Sequence, residues 1–274
     1  MRLAFIGGGN MATALIGGLL ARGSSASEIC VADVDEAQRE RLQQRFGVAT
    51  RAEPAAAVVG AEVVVLAVKP QQMRAVAREL APWVRDALIV SIAAGIRAVD
   101  LSRWLDGHAR IVRTMPNTPA LVGAGVTALA ASPSLSEADR EAAAGIMAAV
   151  GDALWVEDEA LIDAVTAVSG SGPAYVFYFM EAMIDAGTRL GLTAAQARRL
   201  TIATFAGASR LAAESEDSPA TLRERVTSRG GTTAAAIAQL ASHRVADHVV
   251  EAIEAAQRRS VELGEAFGNA QDDA

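Results

Sequence analysis

The sequence predicts an α/β chain in which a doubly wound sheet comes first and an all-helical domain follows. Three observations predict it. Leu3 to Leu20 reads as a short apolar strand, a turn of three glycines and a helix. Apolar runs of strand length then alternate with helical periods as far as about Glu157. From about Asp158 those runs give way to long alanine-rich helical periods punctuated by glycine and proline. The expected domains are therefore residues 1–157 and 158–274.

In the first element, Leu3 to Ile6 is apolar and stops at Gly7, while Ala12, Leu15, Ile16, Leu19 and Leu20 recur at helical spacing. Gly7-Gly8-Gly9-Asn10-Met11-Ala12 fits G-x-G-x-x-G/A. In that pattern the first glycine turns the chain, the second lets backbone approach a pyrophosphate, and the small last residue packs helix on strand. A diphosphate there would meet free amides and the positive end of a helix. The strand before and the helix after separate this Rossmann-like signal from an ordinary glycine-rich turn.

Gly23 and the serines after it make a turn, and Ile29 to Ala32 is a second strand ending at Asp33. A carboxylate at that place either accepts hydrogen bonds from the adenosine ribose, which leans the cofactor toward NAD(H), or caps the helix beginning near Asp35. Glu36 to Phe46 is a charged helix closed by Gly47, Val48-Ala49 a short strand, and the next helix opens at Pro54 and ends at Gly60. Val63 to Val68 is an unbroken apolar run of the buried parallel-strand type, ending at Lys69-Pro70. Gln71 to Leu80 reads as helix, Leu88 to Ile92 as strand, and Ala93-Ala94-Gly95 as a small-residue turn. Arg97 to Leu105 is a helix, Arg110 to Arg113 a strand, and Thr114 to Pro119 a stiff loop. The strand ends at Gly7, Asp33, Lys69, Ala93 and Thr114 all carry turn residues, so one cleft outside the carboxyl ends would collect them. Gly125 to Ala130 is expected as an edge strand, Ser136 to Val150 as a helix capped by Ser136 and Asp139, and Asp152 to Val156 as the strand that closes the sheet.

In the second domain Leu161 to Val168 begins a helix that Ser169-Gly170-Ser171-Gly172-Pro173 breaks, and Ala174 to Leu190 is strongly apolar with Gly191 as its stop. Thr193 to Gln196 has a capping-box pattern, and Ser218-Pro219 opens a further helix. A glycine-broken link from Val226 precedes helices over Thr233 to Leu240 and Val245 to Phe267, with a frayed tail from Asn269. Apolar residues on several faces of these helices exceed what a small bundle hides, so a helical dimer interface is expected.

Composition excludes several classes. Twenty-five basic against 32 acidic residues give a net charge of −7, with no basic block to track nucleic acid. Cys30 is the single cysteine, so neither an intrachain disulfide nor a cysteine metal site can form, and a cytoplasmic setting fits. Arg2 and the apolar stretch after it imitate a secretory signal, but the glycines and Asn10 interrupt it. No run is long and apolar enough for a membrane span, so no membrane partner is expected. His108, His243 and His248 are too few and badly spaced for a metal site and read as surface or helix-end residues. Ser171 lacks the spacing of a nucleophile elbow, and Asp33, Asp35 and Glu36 do not complete a calcium loop. Ser228-Arg229-Gly230-Gly231-Thr232-Thr233 combines hydroxyls with consecutive glycines before a helix, and reads either as a small-carboxylate site or as a cap and turn.

Six motifs then occur in order: F-I-G-G-G-N-M-A at Phe5, A-V-K-P-Q at Ala67, S-I-A-A-G at Ser91, M-P-N-T-P-A at Met115, A-V-S-G-S-G-P-A-Y at Ala167 and V-T-S-R-G-G-T-T at Val226. In these the chain resembles pyrroline-5-carboxylate reductase. The resemblance implies reduction of 1-pyrroline-5-carboxylate to L-proline with NADP(H) or NAD(H), and a helical domain that forms a homodimer, often within a decamer, with active sites at the dimer interface. It implies that Ile6, Gly7, Gly8, Gly9, Asn10 and Met11 hold the diphosphate. Ala67, Val68, Lys69, Pro70, Ala93, Ala94 and Gly95 would line the nicotinamide half, with Asn117 supporting that wall. Ser228 and the amides of Gly231, Thr232 and Thr233 would take the substrate carboxylate, and Thr233 would hydrogen-bond the ring nitrogen as proton donor. That donor suits hydride transfer to the imine carbon, C5 of the proline formed, which becomes electrophilic as the nitrogen gains a proton.

Two positions depart from the family pattern: Arg229 replaces a proline, and Asp33 stands where many members have small polar residues. Dehydrogenases of similar architecture that use a lysine on the helical domain are disfavoured, since no lysine follows Lys69. A nucleotide-binding regulatory protein without turnover is the alternative, with Arg229 as its best argument.

Overall fold

The computed structural model describes residues 1–269, so residues 270–274 of the expected frayed tail lie outside the description. The strands are β1 (Leu3–Ile6), β2 (Ile29–Ala32), β3 (Ala49–Arg51), β4 (Val63–Leu66), β5 (Leu88–Ser91), β6 (Ile111–Met115), β7 (Gly125–Ala131) and β8 (Gly151–Trp155). They form one sheet in the order β3-β2-β1-β4-β5-β6-β7-β8. Pairing is parallel from β3 through to β6; β7 runs antiparallel to β6, and β8 parallel to β7.

The helices among the strands are α1 (Asn10–Ala21), α2 (Glu36–Phe46), α3 (Pro54–Val58), α4 (Pro70–Leu80), α5 (Ala98–Trp104) and α6 (Glu137–Ala148). Strand alternation divides the core between the two sheet faces. Leu3 and Phe5 pack in one layer with Leu15 and Ile16 of α1, while Ala4 and Ile6 pack in the other with Met73, Ala77 and Leu80 of α4. Burial on both faces explains why these strands read as continuous apolar runs. The capping box of Ser136 and Asp139 opens α6 as its spacing predicts.

After the sheet come α7 (Leu161–Val165), α8 (Gly172–Arg189), α9 (Ala194–Glu214), α10 (Pro219–Arg225), α11 (Thr232–Ser242) and α12 (Val245–Asn269). None of the described helices is long and apolar enough to cross a membrane.

Several local expectations change. Gly125 to Ala131 is not an edge strand, because β8 pairs beyond it and is itself the edge. Gly151 lies against Gly125 with no room for a Cβ, and this close approach starts the pairing. Thr114 and Met115 belong to β6 rather than to the loop after it. The helix expected over Leu161 to Val168 becomes a π turn from Thr166 to Gly170, closed by Ser171 N–H on the Thr166 carbonyl at 2.8 Å. His108 is not a surface residue: it is 9% exposed, and burial lowers its pKa by disfavouring the imidazolium.

The described residues form two compact units, Met1–Ser171 with residues 256–269, and Gly172–Ala255, which differs from a single division after Glu157. A buried charge network accounts for the difference. Arg113 on β6, 2% exposed, pairs with Glu159 at 3.2 Å and with Asp163 of α7 at 3.7 Å. Asp163 also accepts from the Ser260 hydroxyl of α12 at 2.7 Å, and Glu159 accepts from the Ala98 amide at the start of α5 at 2.7 Å. Segments distant in sequence thus pair their polar groups inside the first unit, a constraint that hydrophobic periodicity does not display.

Replacing Arg113 by methionine leaves Asp163 buried without its cation. The expected cost is about 3–5 kcal/mol of folding stability in denaturant titration; a loss below about 1 kcal/mol would show that the network is not a structural tie.

Candidate active site

Gly7 lies where the strand order reverses between β1 and β4, the place at which an open α/β sheet forms its ligand crevice. Its N–H donates to the Ala32 carbonyl at 2.8 Å, its φ is +97°, and a Cβ would stand 2.7 Å from the Ala67 oxygen. Gly8 is glycine for a different reason: a Cβ there would meet Leu42 Cδ1 of α2 at 2.6 Å. Its peptide is held on both sides, the N–H by Asp33 Oδ2 at 2.7 Å and the carbonyl by Thr13 Oγ1 at 3.2 Å and the Gln38 side-chain amide. Gly9 is the N-cap of α1, in extended conformation and without a side-chain cap, and a Cβ there would meet nothing within 4 Å. Nothing inside the chain requires glycine at that position. The open space over the uncapped first turn of α1 suits the close approach of a phosphate group, so the residues present fit a dinucleotide.

Asp33 does not cap α2. That role belongs to Asp35, whose carboxylate accepts from the Ala37 amide at 3.0 Å. Asp33 instead spans the loop: Oδ2 holds Gly8, and Oδ1 accepts from the Asp35 amide at 2.9 Å.

Ile6, Gly7, Gly9, Asp33, Ala67, Val68 and Lys69 face one cleft of about 740 Å³ at the carboxyl ends of β1, β2 and β4. Gly8 is buried behind it. Asn10 faces a separate groove with Thr13 and Arg41, Met11 packs against the core, and Pro70 is the first residue of α4. Sequence reasoning missed Val34, Gln38, Ala52, Pro54 and Val76, which also line the cleft. The signal for Ala52 and Pro54 was the parallel pairing of β3 with β2, which brings the end of β3 beside Asp33.

In the Ala93-Ala94-Gly95 turn only Ala94 is exposed; Gly95 lies beneath the end of α12, where a Cβ would be 3.2 Å from the Phe267 ring. Asn117 is 9% exposed and makes a fixed bridge. Its Oδ1 accepts from the Val126 amide at 2.9 Å, and its Nδ2 donates to the Ser169 carbonyl in the π turn at 3.3 Å.

In the other unit the Ser228 loop is a tight turn. Gly231 N–H donates to the Ser228 carbonyl at 3.0 Å and Gly230 has φ +75°, the signature of a type II turn with Arg229 at its second position. That position favours proline but accepts arginine, so the substitution leaves the turn in place. The Gly231 amide, expected to face a carboxylate, is occupied by this turn. The first-turn amides of α11 are those of Thr232, Thr233 and Ala234, with Gly231 as an N-cap lacking a side-chain bond. Among the described residues the hydroxyls of Ser228, Thr232 and Thr233 have no hydrogen-bond partner in the chain.

The geometry separates folding from binding at Gly9. Gly9→Ala should change folding stability by no more than about 1 kcal/mol, yet weaken NAD⁺ or NADP⁺ in titration calorimetry by about tenfold or more. Unchanged affinity would mean that no diphosphate approaches this glycine.

The family model for the pyrroline-5-carboxylate reductase dimerisation domain matches residues 159–263, and that for NADP oxidoreductase, coenzyme F420-dependent, matches residues 2–95. The chain is 50% identical over 268 residues to pyrroline-5-carboxylate reductase of Pseudomonas aeruginosa, covering 97% of this chain and 98% of that one. The structure of a pyrroline-5-carboxylate reductase from Coxiella burnetii superposes with a TM-score of 0.91 at 41% identity, covering 96% and 98% of the two chains. Pyrroline carboxylate reductase of Plasmodium falciparum with NADP bound superposes with a TM-score of 0.86 at 27% identity, over 96% and 98%. The protein belongs to the pyrroline-5-carboxylate reductase family.

Proposed function

We propose that this chain reduces 1-pyrroline-5-carboxylate to L-proline with NAD(P)H, the last step of proline synthesis. Beside family membership, the observation that carries this reading is the start of α11, where partnerless hydroxyls stand next to uncapped amides. Those groups match a substrate with one carboxylate and one ring nitrogen.

The amides of Thr232 and Thr233, with the Ser228 hydroxyl, hold the carboxylate at the positive end of the helix. The type II turn closed by Gly231 keeps Ser228 beside that end. Thr233 Oγ1 hydrogen-bonds the ring nitrogen and delivers the proton, so the C=N carbon is electron-poor when hydride arrives. Bound NAD(P)H supplies that hydride from C4 of its dihydronicotinamide. One hydride on carbon and one proton on nitrogen complete the amine. No acid pair is needed, since alignment of reactants alone is worth about 7–11 kcal/mol.

The exposed apolar side chains Phe177, Tyr178, Phe179 and Met183 on α8, with Leu200, Ile202 and Leu211 on α9, support a homodimer through the helical domain. Further assembly into a decamer and a cytoplasmic location complete the proposal. The regulatory alternative loses its main support, because Arg229 sits at a turn position that admits it.

The reaction is tested by loss of nicotinamide absorbance on adding 1-pyrroline-5-carboxylate, with proline as product; nucleotide binding without such oxidation would leave only the regulatory reading. Thr233→Val should lower kcat by about a hundredfold with cofactor affinity retained, and an unchanged kcat would remove Thr233 as the donor.

A further inference from the structure

We propose that Asp33 makes the cleft selective for NADH over NADPH, by placing a fixed negative charge where the adenosine ribose binds. The inference rests on the dinucleotide reading of the cleft and goes beyond it, because family membership does not set the choice of nucleotide.

The Asp33 carboxylate is immobilised. Oδ2 accepts from Gly8 N–H at 2.7 Å and Oδ1 from Asp35 N–H at 2.9 Å, so turning it away would strand two amides. Each oxygen spends one lone pair on an amide and keeps another for a donor. Ribose hydroxyls can donate to those sites. A 2′-phosphate cannot, and it adds a charge of about −1.5 to −2 beside the carboxylate.

The surroundings do not offset that charge. Asp35 is a second carboxylate lining the same cleft. The guanidiniums on neighbouring elements do not line the cleft: Arg39 lies against the Asp33–Val34 backbone, donating to those carbonyls at 2.8 and 3.1 Å, and Arg51 donates to the Thr50 carbonyl at 2.8 Å. Arg41 approaches Asp35 at 3.9 Å and lines the separate groove with Asn10. Lys69, the one basic residue lining the cleft, is the N-cap of α4 and follows β4 rather than β2. Discrimination by a misplaced like charge is the general route to specificity between ligands that differ by one group.

The test is titration calorimetry of NAD⁺ and NADP⁺ into the full-length protein, with kcat/KM for NADH and NADPH in parallel. NAD⁺ should bind about tenfold or more tightly, and the ratio should narrow as salt screens the repulsion. Asp33→Asn removes the charge but keeps only one of the two oxygen acceptors, leaving the Gly8 or the Asp35 amide unpaired, so both nucleotides can weaken while the NAD⁺ to NADP⁺ ratio collapses. Equal or tighter binding of NADP⁺ by the unaltered protein would overturn the proposal, as would an Asp33→Asn variant that weakens both nucleotides equally. Binding of neither nucleotide would overturn it together with the dinucleotide reading.

Discussion

The close approach of Gly7 to Ala67, at the reversal of strand order between β1 and β4, is the constraint on which the cleft depends. A side chain at Gly7 would collide with the Ala67 carbonyl, and its φ of +97° turns the chain out of the sheet. That turn sets Gly8 against Leu42 and places its N–H on Asp33. Asp33 in turn draws in the Asp35 amide, and Asp35 opens α2. A short series of hydrogen bonds from backbone amides to the Asp33 and Asp35 carboxylates thereby joins β1, β2 and α2 into one wall. The loop is preorganised, so a nucleotide need not order it on binding.

A second constraint acts at the other end of the first unit. Arg113, Glu159, Asp163 and Ser260 fasten β6, α5, α7 and the last part of α12 together. The same part of α12 lays Phe267 over Gly95 and Gly264 beside the Gly95 carbonyl. The Ala93-Ala94-Gly95 turn is therefore backed by a helix from the far end of the chain. A buried ion network adds little net stability compared with an apolar core of the same volume, but its directional bonds specify which segments meet.

The fold was largely legible in the sequence because its strands are buried on both faces and end in turn residues. Glycines at 7 to 9 and the acid at 33 are adjacent to strand ends, and strand ends are where ligands gather. Other features depend on contacts between residues far apart in the chain. Gln38 reaches the Gly8 carbonyl from α2, Asn117 finds the π turn, and His108 is buried with no apolar pattern around it to announce this. Asp152 to Val156 was legible as the strand closing the sheet, but that this leaves β7 inside the sheet follows from its pairing with β8, which starts at the Gly125 and Gly151 approach. Occupation of the Gly231 amide required the turn itself to be seen.

The central claim is hydride delivery to the C=N carbon of a cyclic imino acid. It is tested most directly by running the reaction with cofactor deuterated at C4 of the dihydronicotinamide, separately on each face, and locating the label in the product. The expected result is one deuterium at C5 of L-proline from one face only. Proline formed without label from either face would contradict direct hydride transfer, and with it the chemistry assigned to Thr233.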